Sequence, residues 1–174
     1  IADQFDPALY GPNYQTSQII DCRAYGGAGL MHMPMRLHIT WESDSILRIE
    51  TDNGSQTRLL HFGGQPPAGQ QPQWQGYSAA KWEGTGPRAL TGALEVKTTH
   101  MRPGMLRKNG VPYSGNAVIT EYFIRTDETN GNSWLALQSI IVDPQFLTQP
   151  YISSTTFKKQ ADGAGWHPTN CRDE

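Results

Sequence analysis

Residues 33–62 read MPMRLHITWESDSILRIETDNGSQTRLLHF, and this stretch decides the fold. Apolar and polar residues alternate along three runs, 33–42, 45–52 and 56–62, rich in β-branched and aromatic side chains. Alternation with period two puts successive side chains on opposite faces, as a half-buried strand requires. Two turn signals separate the runs. Glu42-Ser43-Asp44 is one, and Asp52-Asn53-Gly54-Ser55 is the other, with the Asn-Gly pair that tolerates positive φ in tight hairpins.

Working outward, the same pattern recurs at 75–84, 89–101, 116–127, 133–143 and 149–159. Gly84-Thr85-Gly86-Pro87 and Asn130-Gly131-Asn132 supply further turns. No stretch carries a sustained helical stripe. Short strands joined by short turns predict an all-β fold, a single antiparallel up-and-down β-barrel of about eight strands. A barrel of that size holds its own side chains or one small ligand. A two-sheet sandwich of the same strands is the alternative. The reading divides the chain into an irregular N-terminal arm, residues 1–32, and a barrel domain, residues 33–174. Two long loops, 63–74 (GGQPPAGQQPQW) and 102–115 (RPGMLRKNGVPYSG), are candidate lids at one mouth.

The bulk numbers agree with one globular unit. The chain has 174 residues, 37% hydrophobic and 17% charged, with 18 Gly and 12 Pro for turns. A net charge of −2 and no basic stripe beyond Arg102, Arg107 and Lys108 argue against a nucleic-acid partner. No apolar run approaches the roughly 20 residues of a membrane-spanning helix.

The start at Ile1, in IADQFDPALYG, reads as a mature end left by cleavage. Cys22 and Cys171 are too far apart for a redox or zinc motif. Paired as a disulfide they would close almost the whole chain, with an upper bound of roughly 5 kcal/mol in the chain-entropy model. Two unpaired thiols are the other reading. A disulfide implies an oxidising compartment, so the expected location is periplasmic or extracellular.

Catalytic motifs are absent: no nucleophile elbow, no HExxH, no phosphate-binding loop and no dinucleotide fingerprint. His32, His38, His61, His100 and His167 have no ligand-like spacing with Cys, Asp or Glu, and no metal or cofactor is expected. Met31, Met33 and Met35 would share one face of a strand and enter a core, with His32 on the other face.

Parity singles out better candidates. His100 falls on the apolar, inward parity of 89–101, beside the long loop, where it would serve as a ligand anchor or acid–base group. A core histidine bonded to the backbone is the plainer reading. Glu121 lies between Ile119 and Phe123, and an inward carboxylate there needs a partner. Arg58 shares parity with Leu60 and Phe62 and can supply the charge. The opposite face, Val118, Tyr122 and Ile124, is equally apolar, so parity leaves the direction of Glu121 open. Tyr77 and Trp82 have opposite parity on a strand of small residues, Gly76, Ser78, Ala79 and Ala80, so one faces in and the other out.

Several blocks resemble a family of exported bacterial proteins of no assigned activity. Gly76-Tyr77-Ser78 followed by Trp82-Glu83-Gly84 is similar to their GHSxGxWEGDTL block. Asp143-Pro144-Gln145-Phe146-Leu147-Thr148-Gln149-Pro150 resembles their DPxYLTxP block, and Trp166-His167-Pro168-Thr169-Asn170-Cys171 their WNPTPC tail. Arg58 ahead of Gly63-Gly64 resembles their RRIYxDGR stretch. The resemblance implies a lipocalin-like or calycin-like barrel. The chain departs from it at Tyr77, where the family has His, and at Thr85-Gly86-Pro87, which replaces Asp-Thr-Leu.

Three functions follow as expectations. The first is an exported binding barrel for a small apolar or aromatic molecule, lined by Arg58, Tyr77, Trp82, His100 and Glu121. The second is a cofactor-independent lyase, isomerase or hydrolase, with His100 or Glu121 moving a proton and Arg58 or Tyr77 stabilising negative charge. The third is an extracellular structural subunit that self-associates through the 1–32 arm.

Overall fold

A computed structural model describes residues 26–84, 92–107 and 110–169. A short helix, α1 (Gly27–Leu30), leads into ten strands: β1 (Leu37–Ser43), β2 (Ile46–Thr51), β3 (Thr57–Phe62), β4 (Tyr77–Trp82), β5 (Leu94–Thr99), β6 (Gly104–Arg107), β7 (Val111–Tyr113), β8 (Val118–Asp127), β9 (Ser133–Val142) and β10 (Tyr151–Lys158). All eight runs of alternating sequence contain a strand.

The eight longer-range strands form one curled sheet in the order β1-β2-β3-β4-β5-β8-β9-β10, a half-barrel. Two features correct the expectation of a closed antiparallel barrel. No ladder joins β1 to β10 among the described residues, and β3 pairs with β4 in parallel, Leu60 opposite Ser78 and Phe62 opposite Ala80. The cause of the second is the 63–76 connection. It is long enough to carry the chain back along β3 before β4 begins, which a parallel pair requires and a hairpin does not. Its Pro and Gly residues had suggested only a loop.

The turns follow their chemistry. Gly54 (φ 72°) and Ser55 (φ 46°) take left-handed conformations between β2 and β3, and Gly131 (φ 86°) does so between β8 and β9. The 102–115 segment is more than a loop. It contains the hairpin β6–β7, turned at Gly110 (φ 85°), with Leu106 and Tyr113 buried. The Met31–Met35 stretch is a turn and bend rather than strand: Met31 caps α1 and enters the core, while Pro34 is exposed. The described part of the arm, residues 26–32, is therefore built into the domain.

Inward side chains sort into three layers along the strands. One apolar cluster holds Ile49, Leu60, Ala80, Leu94, Val96, Phe123, Leu137 and Met31. A second holds Met101, Leu106, Tyr113, Ala117, Ile119, Ile141 and Ala28. Between them lies a polar layer. On β8 the sequence is Phe123, Glu121, Ile119, and on β9 it is Leu137, Ser139, Ile141, each pair in register. The second cluster closes one end of the half-barrel. There the two long loops meet: Gln73 bridges Met101, the Gln73 amide donates to the His100 carbonyl (2.9 Å), and the Arg102 amide donates to the Gln73 carbonyl (2.8 Å). They act as a plug across this end.

Gly76 is required for that closure. Its φ is +65°, and a Cβ there would lie 2.5 Å from the Thr99 carbonyl oxygen and 2.7 Å from Met101 Cγ. Asp143 secures the same end. Buried, it accepts from the amide and hydroxyl of Ser114 and from the Gln145 amide (2.9 Å), which ties the β9–β10 connection to the β7–β8 connection.

No described helix is long and apolar enough to cross a membrane, which says nothing of strands. Cys22 and Cys171, with the pairing expected of them, lie outside the described residues.

Candidate functional site

The polar layer is built by residues from five strands. Arg58 (β3) donates from Nε to Ser78 Oγ (3.1 Å, β4), from Nη2 to Thr98 Oγ1 (2.7 Å, β5) and from Nη1 to Glu121 Oε1 (3.1 Å, β8). Nη2 also donates to Glu121 Oε2. Ser78 and Thr98 hydroxyls share a further bond (2.8 Å), and Ser139 Oγ (β9) donates to Glu121 Oε1 (3.5 Å). Arg58 and Glu121 are each 1% exposed. Sequence parity paired Arg58 with Glu121 and left open which face of β8 carries the carboxylate. Packing decides it, because Val96 and Ser139 stand opposite Glu121 in the ladders and both face inward.

The layer continues to the far edge. Ser153 on β10 is the register partner of Ser139, and it bonds His32 Nε2 (3.0 Å), while Thr155 bonds His32 Nδ1 (3.1 Å). These bonds hold the turn after α1 against β10. The signal for it was visible as inward-parity hydroxyls, Ser78, Thr98, Ser139 and Ser153, but nothing local marks them as one row.

At the other end of the half-barrel the inward face, among the described residues, is aromatic and partly exposed. Trp41 lies on the inward parity of β1, opposite Leu47, which packs on the first core cluster. Phe62 ends β3 and Trp82 ends β4, where Trp82 stands opposite the buried Leu94. The Trp41 and Phe62 ring centroids are 5.3 Å apart, and those of Phe62 and Trp82 are 5.8 Å apart. Such spacings fall within the favourable range of tilted aromatic pairs. Leu135 and Phe157, in register on β9 and β10, half-buried against the same core cluster, form the opposite wall. Trp41 and Trp82 remain 54% and 55% exposed, although they face the concave side. Of this group the sequence singled out only Trp82. Trp41 and Phe62 were missed because their parity shows the face and not the end of the strand they would crowd.

The remaining candidates lie elsewhere. Tyr77 is on the convex face, stacked flat on His61 at 4.6 Å and 3°. His100 leaves the inward parity expected of it. Its φ of +55° breaks the alternation, so Met101 fills the next buried position and the His100 ring bonds Thr99 Oγ1 (2.9 Å). Tyr77 and His100 therefore do not converge with Arg58 and Glu121. Burial pushes the His61 imidazole pKa down from its usual value, partly opposed by the negative charge of Glu42. Among the described residues no group of three or more His, Cys, Asp or Glu is placed to hold a metal ion.

No family model matches the chain, and no curated protein and no solved structure is similar to it, so the family resemblance rests on its sequence blocks alone.

Proposed function

We propose that the chain is a binding protein that takes a small apolar or aromatic molecule into the open end of the half-barrel, against Trp41, Phe62 and Trp82. The observation that carries this reading is the exposure of two indoles on the concave face, 54% and 55%, beside the buried Leu60, Ala80 and Leu94 of the first core cluster. Concave, aromatic-lined openings are where small ligands bury most of their surface. The location that goes with it is the periplasm or exterior, resting on a Cys22–Cys171 pairing. An intact mass equal to that of the fully reduced chain would remove that support.

The enzyme reading gains less. The Glu121 carboxylate takes both terminal nitrogens of Arg58 and is sealed from solvent, so a substrate has no route to it in this arrangement. Arg58 and Glu121 serve better as a structural tie across the strands, separated from the mouth by the first apolar cluster.

The test is a titration of tryptophan fluorescence with an uncharged arene probe, N-phenylnaphthylamine, on the wild type, Trp41→Ala and Trp82→Ala. Each truncation should weaken binding about tenfold, the scale of losing one aromatic anchor. Equal affinity in all three proteins overturns the reading. Native mass spectrometry of the purified chain would show a co-purified molecule directly.

A further inference from the structure

We propose that the ligand is amphipathic, an arene body with an anionic head, and that Arg125 receives the head at the rim of the mouth. The inference rests on the mouth being the ligand site and names the class of molecule that fits it.

The strands around the mouth end at different heights. The β5–β8 ladder stops at the pair Leu94–Phe123, while the β8–β9 hairpin continues to Asp127–Ser133. Residues 124–127 thus stand beyond the aromatic floor. Arg125 is the register partner of Leu135, which packs on the core below, so it belongs to the concave side of this extension. Its side chain is 65% exposed. It spends Nε (3.1 Å) and Nη2 (3.0 Å) on one oxygen, Asp127 Oδ1, which Ser133 Oγ also engages. That leaves Nη1 for an incoming acceptor.

Among the described residues of the β8–β10 side of this rim, Arg125 and Lys159 stand against one concave-side carboxylate, Asp127. Asp127 is bonded by Arg125, and the charge of Lys159 adds a weaker, longer-range attraction that also lowers its pKa. Lys159 is held close by its own amide, which donates to the Ser133 carbonyl (2.8 Å). Lys158 lies with Trp134, 5.5 Å from that ring, on the convex side and does not enter the balance. Across the mouth, Trp41 and Trp82 offer no charge. A ligand with an apolar ring and an anionic end satisfies both sides at once. Seating the ring excludes water beside Arg125, which strengthens a pairing that would be weak in open solvent.

Two probes of similar ring system separate the parts: anilinonaphthalene sulfonate, which carries an anion, and N-phenylnaphthylamine, which does not. Both are titrated by fluorescence into the wild type, Arg125→Gln and Trp82→Ala. Arg125→Gln should lose about tenfold in affinity for the sulfonate and less than about twofold for the neutral amine, as for one charged hydrogen bond. Added salt should weaken only the sulfonate complex. Equal affinity of wild type and Arg125→Gln for the sulfonate, with both probes weakened in Trp82→Ala, overturns the anionic head and leaves the mouth standing. Loss of neither probe in Trp82→Ala overturns the mouth, and the head with it.

Discussion

Arg58 meets Glu121 across the inside of the sheet, Nη1 on Oε1 and Nη2 on Oε2, although the two residues are 63 positions apart in the chain. The pair joins β3 to β8, strands that are not neighbours, over the hydroxyls of Ser78 and Thr98 on the two strands between. A buried ion pair need not add stability against an apolar replacement, since both charges lose their water. Breaking it is another matter, because the survivor is left buried and unpaired.

Glu121→Gln and Arg58→Met should each destabilise the fold by about 3–5 kcal/mol in urea unfolding. The double variant Arg58→Met/Glu121→Leu should cost well under the sum. Strict additivity would show that the two side chains do not act as a unit.

Gly76→Ala should cost about 2 kcal/mol or more, read as a lower midpoint of thermal unfolding. The added methyl meets the Thr99 carbonyl and Met101, and the left-handed conformation penalises any Cβ. Gly163→Ala is the control: its site has open space and an ordinary backbone, and should move stability by less than about 0.5 kcal/mol.

Asp143→Ala should destabilise by about 3 kcal/mol, measured by denaturant midpoint. It strips the acceptor from the Ser114 amide and hydroxyl and from the Gln145 amide at a buried end of the sheet. A loss below about 0.5 kcal/mol would mean that water replaces the carboxylate there.

His61 sets a pH dependence. Its folded pKa lies below the ordinary 6.5, chiefly through desolvation, so the unfolded chain binds the proton more readily. Stability from this residue is intact above 6.5, falls as the pH drops below it, and levels off once the folded pKa is passed. His61→Phe keeps a ring against Tyr77 and cannot titrate. The stability of the wild type relative to His61→Phe should therefore decline as pH is lowered from 7 towards 5. A flat difference across that window would contradict the assignment.

Local pattern alone located all eight main strands and the hairpins at Gly54 and Gly131, and it offered Arg58 as a partner should Glu121 point inward. These are legible because strand alternation and turn chemistry are written over a few neighbouring residues. The parallel β3–β4 pair was not legible. A Pro- and Gly-rich connection reads the same whether it reverses the chain or carries it back alongside, and only packing against Met101 and Thr99 chooses. His100 misled for a similar reason: a single positive φ resets parity, and nothing beside it in sequence announces that turn. The aromatic mouth shows the division most plainly. Strand alternation put Trp82 and Tyr77 on opposite faces without saying which pointed inward, and Trp41 was not singled out. That Trp41, Phe62 and Trp82 crowd together on one exposed rim, away from the plugged end, follows from strand order and register, which are fixed by contacts between residues far apart in the chain.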